Sequence, residues 1–100
     1  MILGILVNTA KHLDQIVGIC RAALAGNHRV VIFAMDQGTE LLDAPAFVSL
    51  AGLEAVSLSV CDHSAKVRGV NTEGLSPKIV CGSQLNNAMM NHDADRVIVL

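Results

Sequence analysis

The chain has 100 residues, is 52% hydrophobic and carries a formal net charge of −2 at neutral pH; its mean hydropathy is +0.51. That charge, with no basic patch interleaved by aromatics, argues against a nucleic-acid surface, and no apolar run reaches the roughly 20 residues that a membrane span requires. Only Phe33 and Phe47 are aromatic, so the expected core is aliphatic, within one domain over 1–100.

Ile2–Val7 is a short, continuous apolar run of the kind that forms a buried parallel strand. Asn8 or Thr9 is expected to cap the helix that follows, which places Leu13, Ile16, Val17, Cys20 and Leu24 on one face. Cys20 lies inside that stripe and reads as a core residue. Gly26 is expected to end the helix as its C′ residue, with Asn27 and His28 turning the chain and His28 at the surface. Arg29–Ala34 is a second Val- and Ile-rich strand. At its C-terminal end Asp36 and Gln37 are candidate rim residues; a solvated turn bent at Gly38 is the plainer reading. Residues 39–42 and, after Pro45 at a first helical position, 46–50 read as helical pieces closed by Gly52.

Residues 55–60 form the third predicted strand, which delivers Cys61, and the helix after it is expected to end near Gly69. The stretch 71–77 is polar and loop-like. Residues 78–81 read as a short fourth strand or an extended linker. Gly82-Ser83 is expected to open a helix through Leu85, Ala88 and Met89, with Ser83 as its cap, ending at Asn91-His92-Asp93. A final strand follows over 95–100. Strands alternating with helices through right-handed crossovers imply an α/β fold with a mostly parallel sheet covered on both faces.

The chemistry centres on Cys61. A thiol where a strand ends and a helix begins meets unpaired backbone N–H groups, which favour its reactive thiolate. Lys66, Arg68 and a protonated His63 would support that charge, and Asp62 would oppose it. Arg68, about two turns further on, is better placed to order the helix or an interface than to touch the sulfur. The plain alternative makes Cys61 an apolar filler. Cys81 falls near another strand end and is a candidate secondary thiol, able to pair with Cys61 only if their Cα atoms lie within about 7 Å. Three irregularly spaced cysteines without a C-x-x-C pair do not make a disulfide framework.

Cys61, the short run of mostly small residues after it and Arg68-Gly69-Val70 resemble the active-cysteine segment of the DsrE/DsrF-like sulfur-relay family, in its cysteine-bearing, TusD- and DsrE-like type. Asp95-Arg96-Val97-Ile98-Val99-Leu100 is similar to that family's last strand, and the opening strand and helix fit its start. The resemblance implies five strands in a single three-layer α/β/α sandwich and assembly as a trimer or hexamer. It also implies a sulfurtransferase-like carrier that accepts sulfane sulfur as a persulfide on Cys61 and passes it to a partner thiol. Sulfur donor and acceptor proteins would then be its partners, with no cofactor and no metal.

Two other readings stay open. Cys61, Asp62, His63, Cys81, His92 and Asp93 are metal-ligating residue types, but C-x₂₋₄-C and H-x₃₋₅-H spacings are missing. A non-catalytic small-ligand or subunit-interaction module on the same fold is the other; without G-x-G-x-x-G or a Walker A pattern, its ligand is not expected to be a nucleotide. The apolar excess of so short a chain independently suggests a homo-oligomer. Met1 leads into a strand without a basic n-region, so a cytoplasmic location is expected.

Overall fold

Five segments rich in Val, Ile and Leu pair side by side and in parallel. In the computed structural model, which describes all 100 residues, they are β1 (Ile2–Val7), β2 (Arg29–Ala34), β3 (Val56–Cys61), β4 (Ile79–Gly82) and β5 (Arg96–Val99). The sheet order is β4-β3-β2-β1-β5, with Ile5 opposite Ile32 and Ile98, and Leu58 opposite Ile32 and Ile79. The helices are α1 (Leu13–Ala25), α2 (Pro45–Val48), α3 (Asp62–Val67) and α4 (Gln84–Asp93); 3₁₀ turns occupy Asp36–Asp43 and Ser49–Gly52.

This order explains how the layers fill. From β1 to β4 the chain steps in one direction across the sheet, and right-handed crossovers then place their connections on one face. Ile16 and Cys20 of α1, with Leu41, Leu42, Phe47 and Leu50, pack there against Ile5, Ile32, Val30, Leu58 and Val60. Only the step from β4 back to β5 reverses direction, so α4 alone covers the other face, against β1 and β2. There Phe33, Cys61 and Met90 form a small second core, flanked by Leu6, Val31, Met35 and Val97. The rest of that face stays open above β3 and β4. Ser57, Ser59 and Val80 line a groove of about 850 Å³ there, with Met89 of α4 at its wall. Covering on both faces was expected; one helix leaves the second cover partial.

Several boundaries differ from the sequence reading. The cap position of α1 is His12 and no side chain caps it; the Thr9 hydroxyl accepts the Lys11 N–H at 3.4 Å within the preceding loop instead. Gly26 has φ −87°, and Asn27 takes the left-handed conformation at φ +63°. Asn tolerates that region well enough to replace the expected glycine. Of the stretch 78–81, Lys78 lies in a turn, and a true strand runs from Ile79 through Gly82, which is paired opposite Cys61. Ser83 then caps α4 as expected, in a capping box with Asn86. At the other end of the sheet, the Asp95 carboxylate accepts the Ile2 N–H at 2.7 Å, so β5 starts at Arg96. No helix is long and apolar enough to cross a membrane.

Candidate functional site

The carboxyl ends of β2 and β3 bring the candidate residues together. β3 alternates Val56, Leu58 and Val60 into the main core with Ser57, Ser59 and Cys61 on the α4 face. Cys61 is its last residue and the cap position of α3, only 4% exposed, against Phe33 and Met90. Gly82 stands opposite it; a Cβ there would run into the Asn86 amide that completes the α4 capping box. A side chain at that strand position would displace the Asn86 amide from the capping box.

The Cys61 side chain makes no cap hydrogen bond. Its electrostatics depend on what surrounds a thiolate, a much better acceptor than a thiol. Burial alone would push Cys61 up. The Ser64 hydroxyl and N–H, the Gln84 side-chain amide and the His63 N–H outweigh that and bring it below its ordinary value. Cys20 has no such donors: burial pushes it up, with only a partial offset from Arg21. The two thiols are thus buried alike and polarised in opposite directions.

The other candidates separate into those near Cys61 and those away from it. His63 is exposed, and the contribution found for it at the sulfur is its backbone N–H. Lys66 is engaged by Asp62 at 3.0 Å across one helical turn, so the two charges whose opposed effects were expected at the thiol compensate each other. Arg68 reaches Glu40 at 3.7 Å and ties α3 to the 3₁₀ turn after β2. A cavity of about 140 Å³ lies between these elements, lined by Asp36, His63, Ser64, Val67 and Arg68. Asp36, at φ +48°, therefore joins the rim beside Ser64, whereas Gln37 is exposed outside that lining.

Gly38 makes this edge close. It turns back over the end of β1, and a Cβ there would collide with the Val7 carbonyl. Met35 meanwhile donates its N–H to that same carbonyl at 2.9 Å. Cys81 is exposed on the edge strand, and no three His, Cys, Asp or Glu side chains gather as metal ligands.

Two donors at the sulfur were absent from the sequence reading. Ser64 sits three residues after the cap position, the spacing at which a helix's first turn meets its cap, and that spacing was available as a signal. Gln84 had no local signal. It reaches Cys61 only because β4 lies beside β3 and α4 starts immediately after it.

The fold and this edge define a small, all-parallel α/β protein with a buried, donor-flanked thiol at the end of an interior strand. No protein-family model matches the sequence, and no curated protein matches it. Among solved structures, the YchN protein from E. coli matches with a TM-score of 0.72 at 14% identity, over 99% of this chain and 97% of that one. MTH1491 from Methanobacterium thermoautotrophicum, described as a protein of unknown function, matches with a TM-score of 0.77 at 14% identity, over 99% and 98%. At such identity the likeness is one of fold.

Proposed function

We propose that this chain is a DsrE-like sulfur carrier that loads sulfane sulfur on Cys61 and hands it to a partner thiol. The observation that supports this reading is the donor set around Cys61, which favours its thiolate despite burial. The Cys61 thiolate attacks the outer sulfur of a persulfide donor. A new S–S bond forms to Cys61 as the donor's own S–S bond breaks, and the donor leaves as a thiolate. Transfer onward repeats the exchange: an acceptor thiolate attacks the outer sulfur of the Cys61 persulfide and Cys61 returns to its starting form. No net oxidant is consumed.

The test is intact-mass analysis after incubation with a small-molecule persulfide. Each sulfur taken up adds about 32 Da, a thiol reductant removes it, and Cys61→Ser abolishes the uptake while Cys20→Ser retains it. Equal uptake by wild type and Cys61→Ser would end the carrier assignment.

We assign the supporting roles as follows. His63 acts through its backbone, Arg68 orders the edge, and Asp36 shapes the rim. The protein works in the cytoplasm between donor and acceptor proteins and as a homo-oligomer, a trimer or its doubling. The open sheet face supports the last point. It exposes Val80 and Met89, and its groove carries both Arg29 and Lys78 and, opposite in sign, Glu54 and Asp93. A second copy satisfies both the apolar surface and the mixed charges. Light scattering checks the assembly, and a 10.5 kDa species alone at micromolar concentration would reject it. The same groove favours a second reading, a non-catalytic small-ligand or subunit-interaction module, which predicts no sulfur adduct on any cysteine.

A further inference from the structure

Of the four side-chain amides on helix α4, Asn86 completes the capping box, and Gln84, Asn87 and Asn91 follow one another at spacings of three and four residues. Asn91 Nδ2 donates to Asn87 Oδ1 and to the Asn87 carbonyl, both at 2.8 Å. Asn87 Nδ2 donates in turn to Gln84 Oε1 at 3.2 Å. Gln84 Nε2 then donates forward to Met35 Sδ at 3.7 Å. The Gln84 and Asn87 side-chain oxygens are each taken by the N–H₂ of the next amide along the helix, so the ladder runs in a single direction.

Its donor end, the Gln84 N–H₂ resting on Met35, lies at the Cys61 edge. Met35 packs on the cluster of Phe33, Cys61 and Met90. Gly82 is paired opposite Cys61, and Gln84 follows it by two residues. The base of the ladder is also fixed. The Ser83 hydroxyl accepts the Leu85 N–H at 3.2 Å, and the Asn86 amide oxygen accepts the Ser83 N–H at 3.0 Å.

We infer that the Asn91–Asn87–Gln84 ladder makes Gln84 the positioning residue of the Cys61 sulfur, by turning an N–H₂ rather than a C=O toward it. A thiolate accepts hydrogen bonds and donates none, so the orientation of one amide decides whether Gln84 attracts or repels the charged sulfur. The inference deepens the carrier reading and rests on it, because a carrier needs a persistent thiolate.

The charges around the sulfur leave this amide a clear role. From α3 come Asp62, neutralised by Lys66, and the exposed His63. The turn after β2 brings Asp36, and Glu40, which is paired with Arg68. The first turn of α4 has no acidic residue.

The experiment is peptide-resolved alkylation of Cys61 across a pH series on the whole chain, with sulfur uptake from a small-molecule persulfide measured in parallel. Gln84→Leu removes the donor and should move the alkylation midpoint up by about one pH unit, about a tenfold loss of thiolate near neutrality. Gln84→Glu should move it further, since a carboxylate repels the anion. Asn87→Ala releases the amide to flip and should give an intermediate shift. Gln84 is exposed, and circular dichroism confirms that each variant is folded.

Unchanged midpoints in Gln84→Leu and Gln84→Glu overturn the ladder, whatever sulfur uptake shows. A wild-type midpoint in Asn87→Ala overturns the orienting step. Shifted midpoints in a chain that takes up no sulfur support the ladder and remove the carrier reading.

Discussion

Cys61 and Cys81 are neighbours across the β3–β4 ladder, one register step apart, yet they face opposite sides of the sheet. Cys61 pairs with Gly82, and Cys81 pairs with Val60. Adjacent strands lie about 4.8 Å apart, so the backbone separation alone would permit a disulfide. The pleat does not. Cys61 joins Phe33 and Met90 on the α4 side, whereas Cys81 alternates with Val80 and so follows Ile79 toward the main-core side. We predict that mild oxidation yields no Cys61–Cys81 link. A cross-linked peptide recovered from the folded protein would contradict this.

The buried thiols should titrate in opposite senses. Cys61, held down by its donors, should alkylate at lower pH than Cys20, which burial pushes up. Ser64→Ala removes a hydroxyl donor and should raise the Cys61 midpoint. His63→Ala keeps its backbone N–H and should change it little. A large shift in His63→Ala would mean that the imidazole itself acts on the sulfur.

The same difference fixes the sign of two alkaline contributions to stability. Cys61 releases its proton earlier when folded than when unfolded. Its contribution therefore grows as pH rises from its folded toward its unfolded value, and is lost as pH falls through the folded one. Cys20 behaves oppositely: the unfolded chain loses that proton first, and stability declines as pH rises from the unfolded toward the folded value. Urea unfolding at neutral and alkaline pH should show Cys20→Ser removing an alkaline loss and Cys61→Ser removing an alkaline gain. Parallel pH dependence in the two variants would refute the assignment.

Phe33 and Phe47 are both fully buried but lie in different cores. Either Phe→Ala change should cost about 3–5 kcal/mol by denaturant unfolding, from lost burial and the cavity left behind. Only Phe33→Ala, beside Cys61, should also alter the alkylation rate of that thiol.

Gly38→Ala tests the closing of the edge. The added methyl meets the Val7 backbone carbonyl, which cannot move without disturbing the end of β1. A loss of about 1–3 kcal/mol is expected from the overpacking. Wild-type stability would mean that the turn shifts freely.

Most of the secondary structure was legible in the sequence because its signals are local. Continuous Val- and Ile-rich runs marked the strands, the stripe of Leu13, Ile16, Val17 and Cys20 marked α1, and Ser83 marked the start of α4. The position of Cys61 at a strand end was local in the same way. The cap of α1 was not: Asn8 and Thr9 have the right chemistry, but the loop after β1 runs on to His12 before helical geometry begins.

What surrounds Cys61 was decided by tertiary structure. Residue spacing cannot reveal that three crossovers share one face while a single reversed step leaves α4 alone on the other, since strand order depends on non-local pairing. That order opens the groove beside β3 and β4 and brings the first residue of α4 to the thiol. Side-chain periodicity specifies which residues are buried. Only the packed sheet determines which distant donor faces a buried sulfur.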